Sequence, residues 1–170
     1  MKRRFTLLAL IAPAVFLLDQ WTKSLVIHFI PEGNGFPVTP FFDLVHTRNP
    51  GAAFGSFATL PDGARLPFFF VTSAIAVVAV LWYFIRLNDP RKTPYVSLAL
   101  ILGGAFGNIL DRIRYREVID FLSVHWHHQW VNLRGLRFKL EWPAFNIADS
   151  AITVGIFLFL IVMMKKPESS

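Results

Sequence analysis

The stretch Arg65-Leu-Pro-Phe-Phe-Phe-Val-Thr-Ser-Ala-Ile-Ala-Val-Val-Ala-Val-Leu-Trp-Tyr-Phe-Ile-Arg86 decides the fold class of this chain. It holds no charged residue between its two terminal arginines. A helix of about 20 apolar residues is long enough to cross the hydrocarbon core of a bilayer. The stretch therefore predicts a membrane-spanning helix, and the rest of the chain can be interpreted as a membrane protein.

The overall composition agrees with that interpretation. The chain has 170 residues, of which 54% are hydrophobic, and a mean hydropathy of +0.49, whereas soluble domains are about 45–50% apolar. Its net charge of +6 is explained by basic flanks on membrane spans and by attraction to anionic lipid, so no nucleic-acid partner is expected. The absence of cysteine from the sequence excludes disulfides, thiolate zinc sites and a cysteine nucleophile.

Three further apolar runs bring the predicted number of spans to four, within one membrane-embedded domain covering residues 1–170. The spans are expected at about 5–27, 66–86, 94–111 and 146–164. In the third, Gly103-x-x-x-Gly107 places two glycines on one helix face, where another helix can approach closely.

The segments 28–65 and 112–145 are rich in polar residues and in proline and glycine breakers, which favours short β-strands. In the second segment, two alternating stretches flank Arg134-Gly135 in the pattern of a hairpin. The expected fold class is an all-α membrane core of four transmembrane helices, with a small extracytoplasmic β-sheet cradle and a periplasmic hairpin.

Basic residues predict the orientation of the spans. Lys2-Arg3-Arg4, the loop from Arg86 to Lys92, and Lys165-Lys166 fall on one side of a four-span topology. The positive-inside rule assigns that side to the cytoplasm, so both termini are expected there.

Charged and amide side chains converge at the predicted outer face. They are Asn108, Asp111 and Arg112 at the end of span three, Asp120 shortly afterwards, and Asn146 and Asp149 at the start of span four. Asp149 lies 16 residues before Lys165, which is roughly 24 Å of helix, near the edge of a hydrocarbon core of about 30 Å. Carboxylates beside hydrocarbon are costly, so they mark a functional site.

Structural interpretations of the same residues stay open. Helical spacing pairs each of Asp111 and Asp149 with an asparagine one turn back, but Asn146 and Asp149 are also typical helix caps. Asp111 and Arg112 could form a structural ion pair. Asp19 and Lys23, four residues apart, could neutralise each other or contact substrate or lipid.

Paired carboxylates suit a hydrolase, because two neighbouring acids share one proton and can act as base and acid on a water and a carbonyl. The sequence holds no Gly-x-Ser-x-Gly, Gly-rich phosphate loop or His-Glu-x-x-His. The histidines His125, His127 and His128 are interpreted as an interfacial polar patch, so no metal is expected. A transporter is the main alternative, although acids at one face alone argue against a through-pathway. A non-catalytic assembly or lipid-binding factor is the third.

Five motifs carry a resemblance to a known family. They are Asp19-Gln-x-x-Lys23, Arg48-Asn49-Pro-Gly-Ala-Ala-Phe54, Gly103-Gly-Ala-Phe-Gly-Asn-Ile-Leu-Asp-Arg112, Val118-Ile-Asp-Phe121 and Pro143-Ala-Phe-Asn-Ile-Ala-Asp-Ser-Ala-Ile152. Over nearly its whole length the chain resembles lipoprotein signal peptidase, also called signal peptidase II, the aspartyl endopeptidase of bacterial membranes. The segment from Asn132 to Glu141 looks like an additional hairpin, which we hypothesise contacts headgroups or covers the site.

The resemblance implies a function and a division of roles. The enzyme would remove signal peptides from diacylglyceryl-modified prolipoproteins, cleaving just before the lipidated cysteine, with Asp120 and Asp149 as the catalytic dyad. The substrate-orienting positions would be Asn49, Asn108, Arg112, Asn146 and Asp19, with Asp111 and Lys23 as structural support.

The resemblance also implies a setting. It implies no cofactor, contact with membrane phospholipids, inhibition by globomycin-like cyclic peptides, and residence in the bacterial cytoplasmic (inner) membrane with the site at the outer face. We expect a monomer.

Overall fold

Long helices dominate the computed structural model, which describes residues 2–51, 57, 61–133 and 136–164, without the side chains of Lys2, Asp62 and residues 127–140. The helices are α1 Lys2–Phe29, α2 Asp62–Arg86, α3 Thr93–Tyr115 and α4 Ile147–Met164. All four are long and apolar enough to cross a membrane. The prediction of four such helices is therefore confirmed, and α3 continues four residues beyond the predicted end of the third span at 111.

A small antiparallel sheet accompanies the helices. Its strands are β1 Gly35–Thr39, β2 Phe42–Asn49, β3 Val118–Leu133 and β4 Leu136–Glu141, paired in the order β1-β2-β3-β4. The predicted hairpin is confirmed, since Leu133 of β3 pairs with Leu136 of β4, while its Arg134-Gly135 turn lies outside the described residues. β3 runs for 16 residues, so the hairpin continues the strand that carries Asp120.

α3 lies at the centre of the bundle and contacts the other three helices. Its glycines allow this close packing: a Cβ on Gly103 would lie 2.7 Å from a backbone carbonyl oxygen of α1, and a Cβ on Gly107 would lie 2.5 Å from the Asp19 carboxylate. Gly104 faces α4, where a Cβ would collide with the Ala148 carbonyl oxygen. The predicted role of Gly103 and Gly107 is confirmed.

α2 presents an apolar stripe to its surroundings rather than to the core. Its exposed large residues are Phe68, Val71, Ile75, Val78, Trp82 and Ile85. Their alternating three- and four-residue spacing places them on one helix face, which in a soluble protein would be buried. An exposed stripe of this kind fits a helix that faces lipid.

The two ends of the bundle differ. At one end, which we call the basic end, Arg4 Nη1 donates to the Leu87 carbonyl oxygen at 2.9 Å and Arg91 Nη1 donates to the Val162 carbonyl oxygen at 3.2 Å. The start of α1, the α2–α3 loop and the end of α4 therefore meet there, as the basic residues predicted, although Lys165 and Lys166 lie outside the described residues. The sheet lies at the opposite end, the sheet end.

Candidate active site

Asp149 lies in the first turn of α4, three residues after Asn146, which directly precedes the helix. Asn146 Oδ1 accepts a hydrogen bond from the Asp149 backbone N–H at 2.9 Å, and Asp149 Oδ2 accepts one from the Asn146 backbone N–H at 3.3 Å. This reciprocal pair is a capping box with aspartate in place of the usual glutamate. The capping interpretation is therefore correct, but each side chain has further partners.

Asp120 is placed by the alternation of β3. Its neighbours Ile119 and Phe121 are buried against Val26 and Ile30 at the end of α1, so Asp120 points to the other face of the strand. The Asp120 carboxyl is 2% exposed. The burial of its two neighbours therefore directs the Asp120 carboxyl to the strand face opposite α1.

Three asparagines surround the two carboxylates. Asp120 Oδ1 accepts from Asn146 Nδ2 at 2.8 Å and Asp120 Oδ2 accepts from Asn49 Nδ2 at 3.0 Å. Asp149 Oδ1 accepts from Asn108 Nδ2 at 2.7 Å. Since Asn146 donates to one carboxylate through its side chain and to the other through its backbone, it joins Asp120 to Asp149.

The asparagine amides can present only their donors to the acids. Asn108 Oδ1 accepts from Lys23 Nζ at 3.1 Å, and Asn49 Oδ1 accepts from the Gly51 backbone N–H at 3.0 Å. The predicted pairing of Asn108 with Asp111 one turn along is wrong. The oxygen of Asn108 is taken by Lys23 and its NH₂ group reaches across to α4.

A buried ion cluster lies behind this constellation; we call Asp19, Gln20, Lys23 and Asp111 the Lys23 cluster. Lys23 Nζ lies 2.8 Å from Asp19 Oδ2 and 2.7 Å from Asp111 Oδ2. Gln20 Nε2 donates to Asp111 Oδ1 at 2.9 Å and to Asp19 Oδ2 at 3.2 Å. The mutual neutralisation predicted for Asp19 and Lys23 is present, with Asp111 as a second anion.

The Lys23 cluster holds the segments that carry the other two acids. Asp19 Oδ1 accepts from the Ala148 backbone N–H at 2.9 Å, one residue before Asp149. Asp111 Oδ2 accepts from the Ile119 backbone N–H at 3.2 Å, one residue before Asp120. The cluster therefore fixes both backbone segments from behind.

Arg112 turns away from the Lys23 cluster. Its Nη2 donates to the Gly51 carbonyl oxygen at 3.3 Å, and its Cζ lies 4.6 Å from the centroid of the Phe69 ring. The ion pair considered for Asp111 and Arg112 does not form, because adjacent residues of a helix do not face the same way. Asp111 instead binds Lys23.

A cleft of about 660 Å³ opens over the acids, within the size range of ligand sites. Its polar floor is formed by Asn49, Asn108, Arg112, Asp120, Asp149 and Ser150, and its apolar wall includes Val118, Trp142, Pro143, Phe145, Ile152 and Val154. Asn146 lies beneath the floor, fully buried. Asp19 and Lys23 are buried outside the cleft, so the structure brings together five of the seven predicted catalytic and orienting residues at its surface.

The environment of Asp120 favours its protonated form. Burial, and next the negative charge of Asp149, raise the pKa of Asp120 to about 7, against the opposing hydrogen bonds from Asn49 and Asn146 and the charge of Lys23. Near neutral pH a proton donor therefore stands beside a second carboxylate. A pair of this kind can activate a water molecule and protonate a carbonyl oxygen in the same step.

Sequence reasoning missed several contacts of the site. Gln20 lies within the motif Asp19-Gln-x-x-Lys23, and this position is the only feature of the sequence that indicates a role for it. The Gly51 carbonyl and the Phe69 ring that hold Arg112 become neighbours only in the fold. Of the histidine patch, His125 pairs with Asp43 at 3.1 Å, while the side chains of residues 127 and 128 lie outside the described part.

Comparisons with known proteins cover almost the whole chain. Residues 11–165 match the family described as signal peptidase (SPase) II. The lipoprotein signal peptidase of Syntrophotalea carbinolica is 41% identical over 163 residues, covering 95% of this chain and 93% of the relative. That of Oleidesulfovibrio alaskensis is 42% identical over 168 residues, covering 97% and 99%.

A solved structure agrees with the fold. A bacterial membrane enzyme determined by the in meso method at 2.3 Å resolution superposes with a TM-score of 0.78 at 32% identity, covering 96% of this chain and 93% of that one. With sequence and fold agreeing over nearly their full length, this chain belongs to the signal peptidase II family.

Proposed function

We propose that Asp120 and Asp149 are the catalytic dyad of this chain. Membership of the signal peptidase II family makes the chain an aspartic-type endopeptidase that removes signal peptides from prolipoproteins. The observation that carries the dyad assignment is the placement of Asn146, which donates to both carboxylates beneath the cleft. Both carboxylates line the cleft, where a peptide bond and a water molecule can reach them.

We assign Asp149 as the base and Asp120 as the acid. Asp149 accepts donors from Asn108 and from the Asn146 backbone, at a helix N-terminus that favours negative charge. Asp120 is the more deeply buried of the two carboxyls, and its raised pKa of about 7 keeps a proton available.

The proposed reaction is a general acid–base hydrolysis. Asp149 takes one proton from water, the water oxygen attacks the scissile carbonyl carbon, and Asp120 gives its proton to the carbonyl oxygen. When the tetrahedral intermediate collapses, the proton on Asp149 passes to the leaving amine and Asp120 recovers a proton from the diol. The products are an acid and an amine, and the dyad returns to its starting state.

The remaining cleft residues suit a lipidated peptide. Asn49 and Arg112 offer polar groups at the floor that can orient the substrate backbone, while Phe145, Ile152 and Val154 offer an apolar wall. We propose that the substrate carries diacylglycerol on the cysteine after the scissile bond. Its acyl chains would stay in the bilayer while that bond reaches the acids.

Orientation and assembly are also proposed. The basic end would lie in the cytoplasm with both termini, and the cleft would lie at the outer face of the bacterial inner membrane. We expect the cleft to accept globomycin-like cyclic peptides and the enzyme to work as a monomer in contact with phospholipid.

The test uses the purified full chain with a diacylglyceryl-modified prolipoprotein, following signal-peptide release. We expect release from the modified substrate, little from the unmodified one, and inhibition by globomycin. Asp149→Asn should abolish release, whereas Asp43→Asn, which alters a sheet carboxylate outside the cleft, should retain it. Substantial release by Asp149→Asn would contradict the dyad assignment.

A further inference from the structure

A second cleft, of about 180 Å³, lies at the basic end, at the opposite end of the bundle from the dyad. It is formed by the start of α1, the α2–α3 loop and the start of α3. The lining residues that matter are Arg3, Arg4, Asp89, Arg91, Lys92 and Tyr95. None of them takes part in the hydrolysis described above.

The charge of this cleft is strongly positive. Four cationic side chains face one carboxylate, and Arg91 already engages that carboxylate through Nε at 2.9 Å and Nη2 at 2.7 Å. Among the described carboxylates, none forms an ion pair with Arg3, Arg4 or Lys92. An anion entering the cleft would supply the missing negative charge.

The cleft is held in shape by contacts that need no ligand. Arg4 Nη1 donates to the Leu87 carbonyl oxygen at 2.9 Å. The Tyr95 hydroxyl accepts from the Asp89 backbone N–H at 3.0 Å and donates to the Asp89 carbonyl oxygen at 3.1 Å. Because the loop is fixed at these points, Arg4 and Arg91 are held in place before an anion arrives.

The surface beside the cleft is apolar. Arg4 Nη1 lies 3.5 Å from the Ile85 carbonyl oxygen, and the Ile85 side chain is 59% exposed on the stripe of α2 that faces lipid. Trp82 and Phe5 are also exposed, and the Phe5 ring packs against Phe84 of α2. A polar cationic cleft therefore adjoins an exposed apolar surface at the end of two spans.

We propose that this cleft binds the phosphate of an anionic phospholipid, whose acyl chains lie along Phe5, Trp82 and Ile85. A free phosphate would satisfy the cations but leave the apolar surface uncovered. A zwitterionic lipid would bring its own cation against Arg3 and Lys92. The combination of charge and apolar surface therefore favours a lipid with a net negative headgroup.

The test measures lipid binding to the full chain in neutral detergent by native mass spectrometry. The probes are dioleoyl-phosphatidylglycerol, dioleoyl-phosphatidylcholine and inorganic phosphate. We expect phosphatidylglycerol to bind at least fivefold more tightly than phosphatidylcholine, and inorganic phosphate to compete only weakly. Replacing two cations, Arg3→Gln with Lys92→Gln, should weaken phosphatidylglycerol binding roughly 30-fold, since each basic residue near the membrane surface contributes about fivefold.

A matched double variant controls for net charge. Arg114→Gln with Arg116→Gln removes the same charge from two exposed positions at the sheet end, outside the cleft, and should leave phosphatidylglycerol binding within about twofold. Thermal unfolding without added lipid checks that both variants fold. Equal binding of the two lipids, equal loss in both double variants, or phosphate that displaces the lipid at similar concentration would each overturn the proposal.

Discussion

Two pairs of carboxylates lie close together at the sheet end, and they differ in what binds them. Asp19 and Asp111 enclose Lys23 at 2.8 and 2.7 Å, and all three are at most 2% exposed. Asp120 and Asp149 receive hydrogen bonds from the amide groups of Asn49, Asn108 and Asn146 and line a cleft.

The difference shows how aspartate side chains can have different roles in one membrane enzyme. Lys23 lies between Asp19 and Asp111, and both carboxylates are buried outside the cleft, so neither can contact a substrate there. Amide donors carry no net charge, so the second pair can share a proton. Arg112 also lies at the cleft, but its donors go to the backbone carbonyls of Gly51 and Asn108.

The position of the second pair also depends on the first. Asp19 and Asp111 bind the backbone N–H groups that directly precede Asp149 and Asp120, and Lys23 binds Asn108. Asp19 and Asp111, bound to Lys23, therefore position the proposed catalytic pair, and variants of either pair should have measurable effects.

The largest expected effect on stability comes from Lys23→Met. The change leaves two buried carboxylates without their cation, and breaking a buried pair costs about 3–5 kcal/mol. Thermal unfolding in detergent should show a large fall in Tm, and the double variant Lys23→Met with Asp111→Asn should recover part of it. A Tm close to that of the unaltered protein would mean that the cluster does not support the fold.

The next effect is on turnover and comes from Asn108→Ala. The change removes the donor to Asp149 Oδ1 and the link to Lys23, and losing one preorganised donor costs about 10²–10³-fold in kcat. Signal-peptide release should therefore fall by that factor, while Asn34→Ala, in a turn outside the cleft, should have no effect. An unchanged kcat would show that Asp149 needs no orienting donor.

A smaller effect on stability is expected from Gly107→Ala. The added Cβ would lie 2.5 Å from the Asp19 carboxylate, and overpacking of this kind costs typically about 1–3 kcal/mol. Gly63→Ala is the matched control, because a Cβ there meets nothing within 4 Å. Equal Tm values for the two variants would argue against close α1–α3 packing.

The smallest effect is the dependence on pH. Because the pKa of Asp120 is raised to about 7, kcat/KM should fall above pH 7 as the acid loses its proton. Stability should change in the same direction: the unfolded chain ionises Asp120 near its ordinary pKa of 3.8, so stability falls as pH rises from about 4 to 7 and then levels off. Rates that rise steadily from pH 7 to 9 would contradict the acid role.

The sequence predicted what depends on composition and on neighbours along one helix. Long apolar runs located the spans, and the cost of carboxylates beside lipid marked Asp111, Asp120 and Asp149 together. Only the family resemblance selected Asp120 and Asp149 as the dyad. Spacing along a helix could not show that Asn108 reaches α4 rather than Asp111, because that choice depends on Lys23 from α1.

Other features also required the fold. Gly51 and Phe69 reach Arg112 only after the chain folds. The continuation of β3 beyond Val124 depends on pairing with β4, since two adjacent histidines interrupt its alternating pattern.

One measurement tests the contrast between the two pairs directly. Asp19→Asn, Asp111→Asn, Asp120→Asn and Asp149→Asn are each purified, their folded fraction is determined, and release of the signal peptide from a diacylglyceryl-modified prolipoprotein is measured per folded molecule. Asp120→Asn and Asp149→Asn should lose at least about 10³-fold in kcat while remaining folded, whereas Asp19→Asn and Asp111→Asn should lose stability and keep measurable turnover. Substantial turnover by Asp120→Asn or Asp149→Asn, or equal loss per folded molecule in all four variants, would contradict this assignment of roles.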